Sequence, residues 1–293
     1  MKKRTVHFSI GAVNVSLRSG CKSFIDEFAS LYGEYRIPSA GAEAIEVELG
    51  ARRQFPWWGG PFTLSSEGMS DFQVERRHEV LPHLEWFINW QIIRKCKKYL
   101  QLHASSLARE GSALILPGSP GSGKTTLTAG LLTRGWSYLC DEFALVSPQV
   151  GTVYPFPRAL CIKEPAFAVM DRLGVRLSRE TPYHKPTKGR VAFLNPLDVR
   201  PDIVGRPALV QWIVFPKYVA DGAPVLTPMT RAEAAYELAR QCFNFSAYRE
   251  RALPVLANMV RGAECFRLRM SELAATCDLV QSELFRTASL KAG

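Results

Sequence analysis

Eight residues constrain this chain more than any others. Gly118-Ser119-Pro120-Gly121-Ser122-Gly123-Lys124-Thr125 place glycine first and sixth, then a lysine, then a hydroxyl residue. Glycines let a backbone curl until several N–H groups converge on phosphate oxygens. The lysine reaches the β- and γ-phosphates, and the threonine hydroxyl can ligate Mg²⁺. The flanks agree with that reading. Ser112 to Leu116 reads as a buried strand entering the loop. Thr125 to Leu132 reads as a helix leaving it, with Gly135 where a helix stop belongs. A helix N-terminus adds its own preference for anions. Gly118 to Thr125, with Thr126 in the first helical turn, is therefore expected to hold nucleotide phosphates.

Length and composition limit what surrounds this loop. At 293 residues, 47% hydrophobic and 22% charged, the chain suits one large globular domain or two smaller ones. Its net charge of +10 is dispersed, and Arg94-Lys95-Cys96-Lys97-Lys98 is the one dense basic run. That run continues a helical pattern beside Trp86, Phe87, Trp90, Ile92 and Ile93, so it reads as a solvated helix face. This argues against nucleic acid as the partner and leaves anionic nucleotides or an acidic peptide. Seven scattered cysteines with no C-x-x-C pair point to reduced thiols in a cytoplasmic protein. No apolar run reaches the roughly 18 residues a membrane span needs.

The first third reads as a unit of its own. Val6 to Leu17 alternates as one or two strands, Cys21 to Leu31 has helical spacing, and Ala44 to Leu49 alternates again. Pro56-Trp57-Trp58-Gly59-Gly60-Pro61 reads as a turn-rich loop with packing tryptophans. A helix from about His83 to Leu100 leads onward. The second unit begins with a strand over Leu102 to Ala108 and a tight turn at Glu110-Gly111. After the loop helix comes a strand over Ser137 to Val146, then a proline-broken stretch from Val150 to Pro165. Thr181 to Arg190, with Pro182 and Pro186, reads as an exposed mobile loop whose His184, Lys185, Lys188 and Arg190 could close on phosphates. Leu209 to Phe215 and Cys265 to Arg269 read as strands. Thr230 with Glu233 predicts a capping box for a helix to about Cys242, and Ser271 is expected to cap a last helix through about Phe285.

Candidate reactive groups cluster around the loop. Asp141-Glu142 ends the strand after the loop helix, where phosphoryl transfer needs an acid for Mg²⁺ and a base for the acceptor. Neighbouring side chains on a straight strand face opposite ways, so both reach one site only if the strand bends. His103 lies on a strand expected beside the loop strand. Arg158, in Pro155-Phe156-Pro157-Arg158, is a weaker electrostatic candidate.

Taken together, His103 to Val146 resembles the catalytic core of bacterial HPr kinase/phosphorylase. A histidine stands fifteen positions before the first loop glycine, and an acidic pair begins seventeen positions after the loop lysine, preceded by Arg134-Gly135. More diffusely, the rest of the chain resembles the HPr-kinase-related kinases often placed with peptide-modification systems. The resemblance implies an α/β fold with an HPr-kinase and phosphoenolpyruvate-carboxykinase-like P-loop kinase core over 96–293, beside a smaller N-terminal α+β domain over 1–95. It implies an oligomer, and ATP- and Mg²⁺-dependent transfer to a serine hydroxyl of a peptide or small-protein acceptor. Lys124 would hold phosphates, Thr125 and Asp141 would serve Mg²⁺, Glu142 would deprotonate the acceptor, and His103 would support the site. Which of Asp141 and Glu142 binds metal and which is the base stays open.

Departures from the family narrow the expectation. Glu142 stands where the family carries aspartate, which moves a base by about a bond length. The glycine-rich stretch that follows the acidic pair in the family is replaced by the proline-broken Tyr154 to Pro165, which argues against HPr itself as acceptor. The same loop would also serve a kinase of a small alcohol, or a module that senses nucleotide without transferring phosphate.

Overall fold

The computed structural model describes residues 3–41, 43–54, 57–185 and 189–292, with side chains described outside 52–60, 178–182 and 287–292. Its architecture is mixed α/β. The chain divides into two compact units. The first comprises residues 1–96, 161–165 and 177–195; the second comprises 97–160, 166–176 and 196–293. Two short later segments thus group with the N-terminal third, an arrangement that no single cut along the sequence can express.

The first unit opens with strands β1 (Arg4–Ile10) and β2 (Val13–Ser19), then helix α1 (Lys22–Tyr32), β3 (Arg36–Ile37), β4 (Ile45–Gln54), β5 (Trp57–Ser65), β6 (Phe72–Val74) and helix α2 (Val80–Lys95). The six strands form one sheet in the order β3-β1-β2-β4-β5-β6. Alternation explains its one-sided core. Val6, Phe8 and Ile10 are buried, whereas Thr5, His7 and Ser9 are not. Helix α1 lays Phe24, Phe28 and Leu31 on that apolar face, with Phe28 edge-on to Phe8 at 5.0 Å and Phe24 edge-on to Phe62 at 5.3 Å. The expected loop at Trp57 to Pro61 is instead the start of β5: Trp57, Trp58 and Gly59 pair with β4, and Gly60-Pro61 fall at a register shift in that ladder. The side chains of Trp57 and Trp58, and all of Pro56, lie outside the described residues.

The second unit carries β7 (Leu100–Leu102), β8 (Ala104–Arg109), β9 (Ser112–Pro117), helix α3 (Lys124–Leu132), β10 (Ser137–Cys140), β11 (Ala144–Val146) and β12 (Thr152–Tyr154). In chain order there follow α4 (Phe167–Arg172) of the second unit and three strands whose residues fall almost wholly in the first, β13 (Leu160–Lys163), β14 (Ser178–Lys185) and β15 (Gly189–Leu194). The chain ends with β16 (Ala208–Tyr218), β17 (Val225–Pro228), helices α5 (Arg231–Arg240), α6 (Phe245–Tyr248) and α7 (Ala252–Gly262), β18 (Glu264–Met270) and α8 (Leu273–Ala292). Strands β13, β15 and β14 form a small separate sheet. The stretch around Thr181 to Arg190, expected as a mobile loop, instead pairs across β14 and β15 at Tyr183–Val191, His184–Arg190 and Lys185–Gly189; the register shifts between Ser178 and Tyr183, the span that holds Pro182, and 186–188 lie outside the described residues. Side chains of these strands meet acids of the first unit. Arg190 Nη1 donates to Glu164 Oε1 at 2.5 Å, and His184 Nδ1 lies 3.7 Å from Glu79 Oε1.

A nine-stranded mixed sheet is the core of the second unit, in the order β10-β8-β9-β16-β12-β11-β7, with β18 beside β16 and β17 beside β18. Strand β9 is buried at every position from Ala113 to Leu116, which is why it reads as an unbroken apolar run. It returns from β8 through Glu110 and Gly111, both at positive φ, as a two-residue hairpin turn that matches strand twist requires. The expected capping box is present at α5: Thr230 N donates to Glu233 Oε2 at 3.0 Å and Thr230 Oγ1 accepts from Glu233 N at 3.3 Å. At α8 the cap differs from expectation. Glu272, not Ser271, accepts from the N–H groups of Ala274 (2.9 Å) and Ala275 (2.7 Å), because a carboxylate one residue later reaches two orphan donors at once.

Candidate functional site

Two strands read as continuous in the sequence are each interrupted, and the interruptions face one another. Leu102 pairs with Ala144, and Ser106 pairs with Cys140. The same antiparallel register carried between these pairs sets His103 opposite Phe143, Ala104 opposite Glu142 and Ser105 opposite Asp141. His103 interrupts the first strand and Asp141, Glu142 and Phe143 the second, and Glu142 sits at a φ of +72°. The positive φ takes Asp141 and Glu142 out of the alternation of a straight strand.

The loop lies directly above. Strand β9 delivers Gly118, whose N–H donates to the His103 carbonyl at 3.3 Å. Gly121 and Gly123 adopt φ of +91° and +97°, a region where glycine carries no steric penalty, and Gly123 is the N-cap of α3. A side chain at Gly123 would meet Met270 Sδ at 2.5 Å, so the loop has no room for one there. Lys124 is buried and bends back so that its ammonium donates to the carbonyls of Gly118 and Ser119, the latter at 3.2 Å. Inside the same curl, the buried Ser122 Oγ has no hydrogen-bond partner among the described residues. A buried hydroxyl without a partner costs about 1–3 kcal/mol. An anion cradled by the loop would satisfy it, so the residues present fit a phosphate group. Ser119, Pro120 and Thr126 complete the loop and its first turn.

Asp141 joins loop and strand. Its Oδ2 accepts from Thr125 Oγ1 at 3.0 Å, and its Oδ1 accepts from Ser105 Oγ. Burial, then the neighbouring charge of Glu142, pushes the Asp141 carboxyl above its ordinary range; the Ser105 and Thr125 hydroxyls and the Lys124 ammonium pull the other way. The result is a desolvated carboxylate poised next to a lysine and a threonine hydroxyl. A divalent cation would add to the single positive charge of Lys124 beside this buried acid, and the Thr125 hydroxyl and Asp141 carboxylate are hard oxygen donors, so the pair fits Mg²⁺. No cluster of three or more histidine, cysteine or acidic side chains suited to a metal occurs among the described residues.

The other candidates fall at different distances from this centre. His103 sits at the interruption between β7 and β8 rather than within one strand. Its main chain ties Gln241 O (2.7 Å) to the loop, and its ring rests 5.3 Å from Phe243. Phe243 in turn stacks on Phe143 at 4.5 Å. Arg158 is buried with its guanidinium 5.5 Å over the Phe156 ring, and its carbonyl accepts from Tyr138 Oη at 2.8 Å. Of the loop cations, Lys188 lies outside the described residues, and His184, Lys185 and Arg190 belong to the first unit. Sequence reasoning missed Ser105 as the second anchor of Asp141. A serine in an apolar strand carries no signal of its own; only the strand register brings it opposite the acid.

No family model and no curated protein matches this chain. Among solved structures, the Hpr(Ser) kinase/phosphatase from Coxiella burnetii is similar with a TM-score of 0.31 and 13% identity, over 66% of this chain and 92% of that one. A likeness that slight carries no argument about function. No helix among the described residues is long and apolar enough to cross a membrane. What the site shows by itself is a glycine-rich strand–loop–helix with an orphaned hydroxyl in its curl and a buried, doubly hydrogen-bonded carboxylate beside its lysine.

Proposed function

We propose that this chain is an ATP- and Mg²⁺-dependent phosphotransferase that phosphorylates a serine hydroxyl of a peptide or small protein. The observation that carries the proposal is the hydrogen bond from Thr125 Oγ1 to Asp141 Oδ2, which joins the helix end of the loop to the acidic strand end. A loop that only needed to grip phosphate would have no use for a desolvated acid at that place. Mg²⁺ held by Thr125 and Asp141 would neutralise charge developing on the transferring phosphoryl group.

The chain's own residues supply the rest. The loop N–H groups and Ser122 hold phosphate oxygens, and Lys124 moves from its own carbonyls onto the β- and γ-phosphates. Glu142, turned out of the strand by its positive φ, would take the proton of the acceptor hydroxyl as that oxygen bonds to the γ-phosphorus and the bond from phosphorus to the β,γ-bridging oxygen breaks, releasing ADP. The hydrogen bond from Thr125 to Asp141 supports Asp141 as the metal-side acid. His103 holds the first loop glycine through its carbonyl and acts as a positioning residue. The acceptor class and any assembly into oligomers follow the family resemblance and belong to the same proposal.

The test is incubation of purified protein with ATP, Mg²⁺ and a panel of seryl peptides, read by mass spectrometry. Phosphorylated serine is expected with the wild-type chain and is expected to vanish with Lys124→Ala. Peptide phosphorylation that survives Lys124→Ala would show that this loop is not the phosphate site.

A further inference from the structure

The loop accounts for phosphates but says nothing of the rest of a nucleotide. Next to it stands Tyr218, the last residue of β16. This strand runs parallel to β9, the strand that feeds the loop, and parallel to β18. Ligands of such sheets bind beyond the carboxyl ends of the strands, and Tyr218 occupies that end. Its N–H donates to Ser122 O at 3.1 Å, and its Cβ lies 3.6 Å from the point where a side chain of Gly123 would begin. The backbone is therefore fastened to the loop, yet the residue as a whole is 55% exposed. The segment beyond it is fixed too. Val219 N donates to Met270 O at 2.9 Å, and Arg269 Nη2 donates to Ala223 O at 3.2 Å.

We propose that Tyr218 is the platform on which the purine base of the bound nucleotide stacks. A large aromatic side chain held at the loop's edge, and left open to water, forgoes the burial that would otherwise stabilise it. Its ring makes no pairing with another aromatic side chain among the described residues. Phe243, the other exposed aromatic near the site, already has a ring stacked on Phe143 at 4.5 Å. A flat base offers a π-face whatever its exocyclic groups, so this platform accepts adenine and guanine alike. The inference deepens the proposed function and rests on the loop holding phosphate.

Calorimetric titration separates the two ideas. ATP, GTP and inorganic tripolyphosphate, each with Mg²⁺, are titrated into the wild-type chain and into Tyr218→Phe, Tyr218→Leu, Tyr218→Ala and Lys124→Ala. Tyr218→Leu and Tyr218→Ala are expected to weaken ATP and GTP on the order of tenfold, as loss of one stacking contact does, and to leave tripolyphosphate unchanged. Tyr218→Phe is expected to bind like the wild type. Retained tripolyphosphate binding shows that a variant is folded, and the leucine variant keeps a strand-compatible side chain should alanine fail that check. If the leucine variant binds ATP as tightly as the wild type, the platform is wrong and the loop stands. If Lys124→Ala changes neither ATP nor tripolyphosphate binding, the loop assignment fails and the platform falls with it.

Discussion

Thr125 Oγ1 donates to Asp141 Oδ2 across 3.0 Å, so the first turn of α3 and the bend after β10 meet through one hydrogen bond. The threonine is thus oriented before any ligand arrives, and a metal would take both oxygens from a pair already in place. Thr125→Ala is expected to raise the Mg²⁺ concentration needed for half-maximal ATP turnover by roughly 10- to 100-fold, and Thr125→Ser to restore most of it. An unchanged Mg²⁺ titration in the alanine variant would remove Thr125 from the metal site.

Asp141 links the site to stability through pH. Its folded carboxyl holds a proton more tightly than the ordinary value of 3.8 allows, chiefly because it is buried and secondly because Glu142 is close. Between 3.8 and that raised value the folded chain binds more protons than the unfolded chain, so stability falls as pH climbs through the window. Without metal, Asp141→Asn is expected to be at least as stable as the wild type at neutral pH, with its advantage shrinking toward about pH 4. Urea midpoints at several pH values check this. A variant much weaker than the wild type at neutral pH would mean that the carboxylate, ionised, holds the fold together.

Glu142 gives a second separation of stability from chemistry. A non-glycine residue in the left-handed region costs about 1–2 kcal/mol, which glycine would relieve at some expense in unfolded-chain entropy. Glu142→Gly is expected to leave the melting temperature unchanged or slightly higher while phosphotransfer falls by roughly a hundredfold or more, the scale of a lost general base. Thermal melts and turnover on the same preparation decide it. Strong destabilisation with turnover intact would reverse the assignment.

Helix α8 supports the loop helix from behind. A methyl group added at Gly130 would sit 2.8 Å from Cys277 Sγ and 3.0 Å from Leu273 Cδ1, both on α8 and both buried. Gly130→Ala is expected to destabilise the second unit by about 1–3 kcal/mol, as overpacking does, and to weaken ATP binding only through that loss. Chemical denaturation measures the first, and titration under folding conditions the second.

Much of the site was legible because its parts are local. Strand, glycine loop and helix follow one another within 20 residues or so, and each residue type has a chemical reason to be there. The acidic pair was readable for the same reason. What escaped depends on pairing between distant segments. Ser105 becomes a partner of Asp141 only through the register of β8 with β10. Tyr218 reaches Ser122 only because β16 lies beside β9. The strands around Thr181 to Arg190 and at Trp57 to Ser65 were hidden by Pro182 and by Gly60-Pro61, which sit where the register shifts while the residues on either side pair. Glu272 displaced Ser271 as the helix cap because a single residue's shift of a helix start decides which side chain reaches the free N–H groups.

The most direct measurement is transfer of labelled γ-phosphate from ATP to a seryl peptide by the wild-type chain, Lys124→Ala and Asp141→Asn side by side. Mg²⁺-dependent label on serine is expected with the wild type, and a loss of at least a hundredfold in both variants. Equal labelling by all three chains would contradict the proposed function.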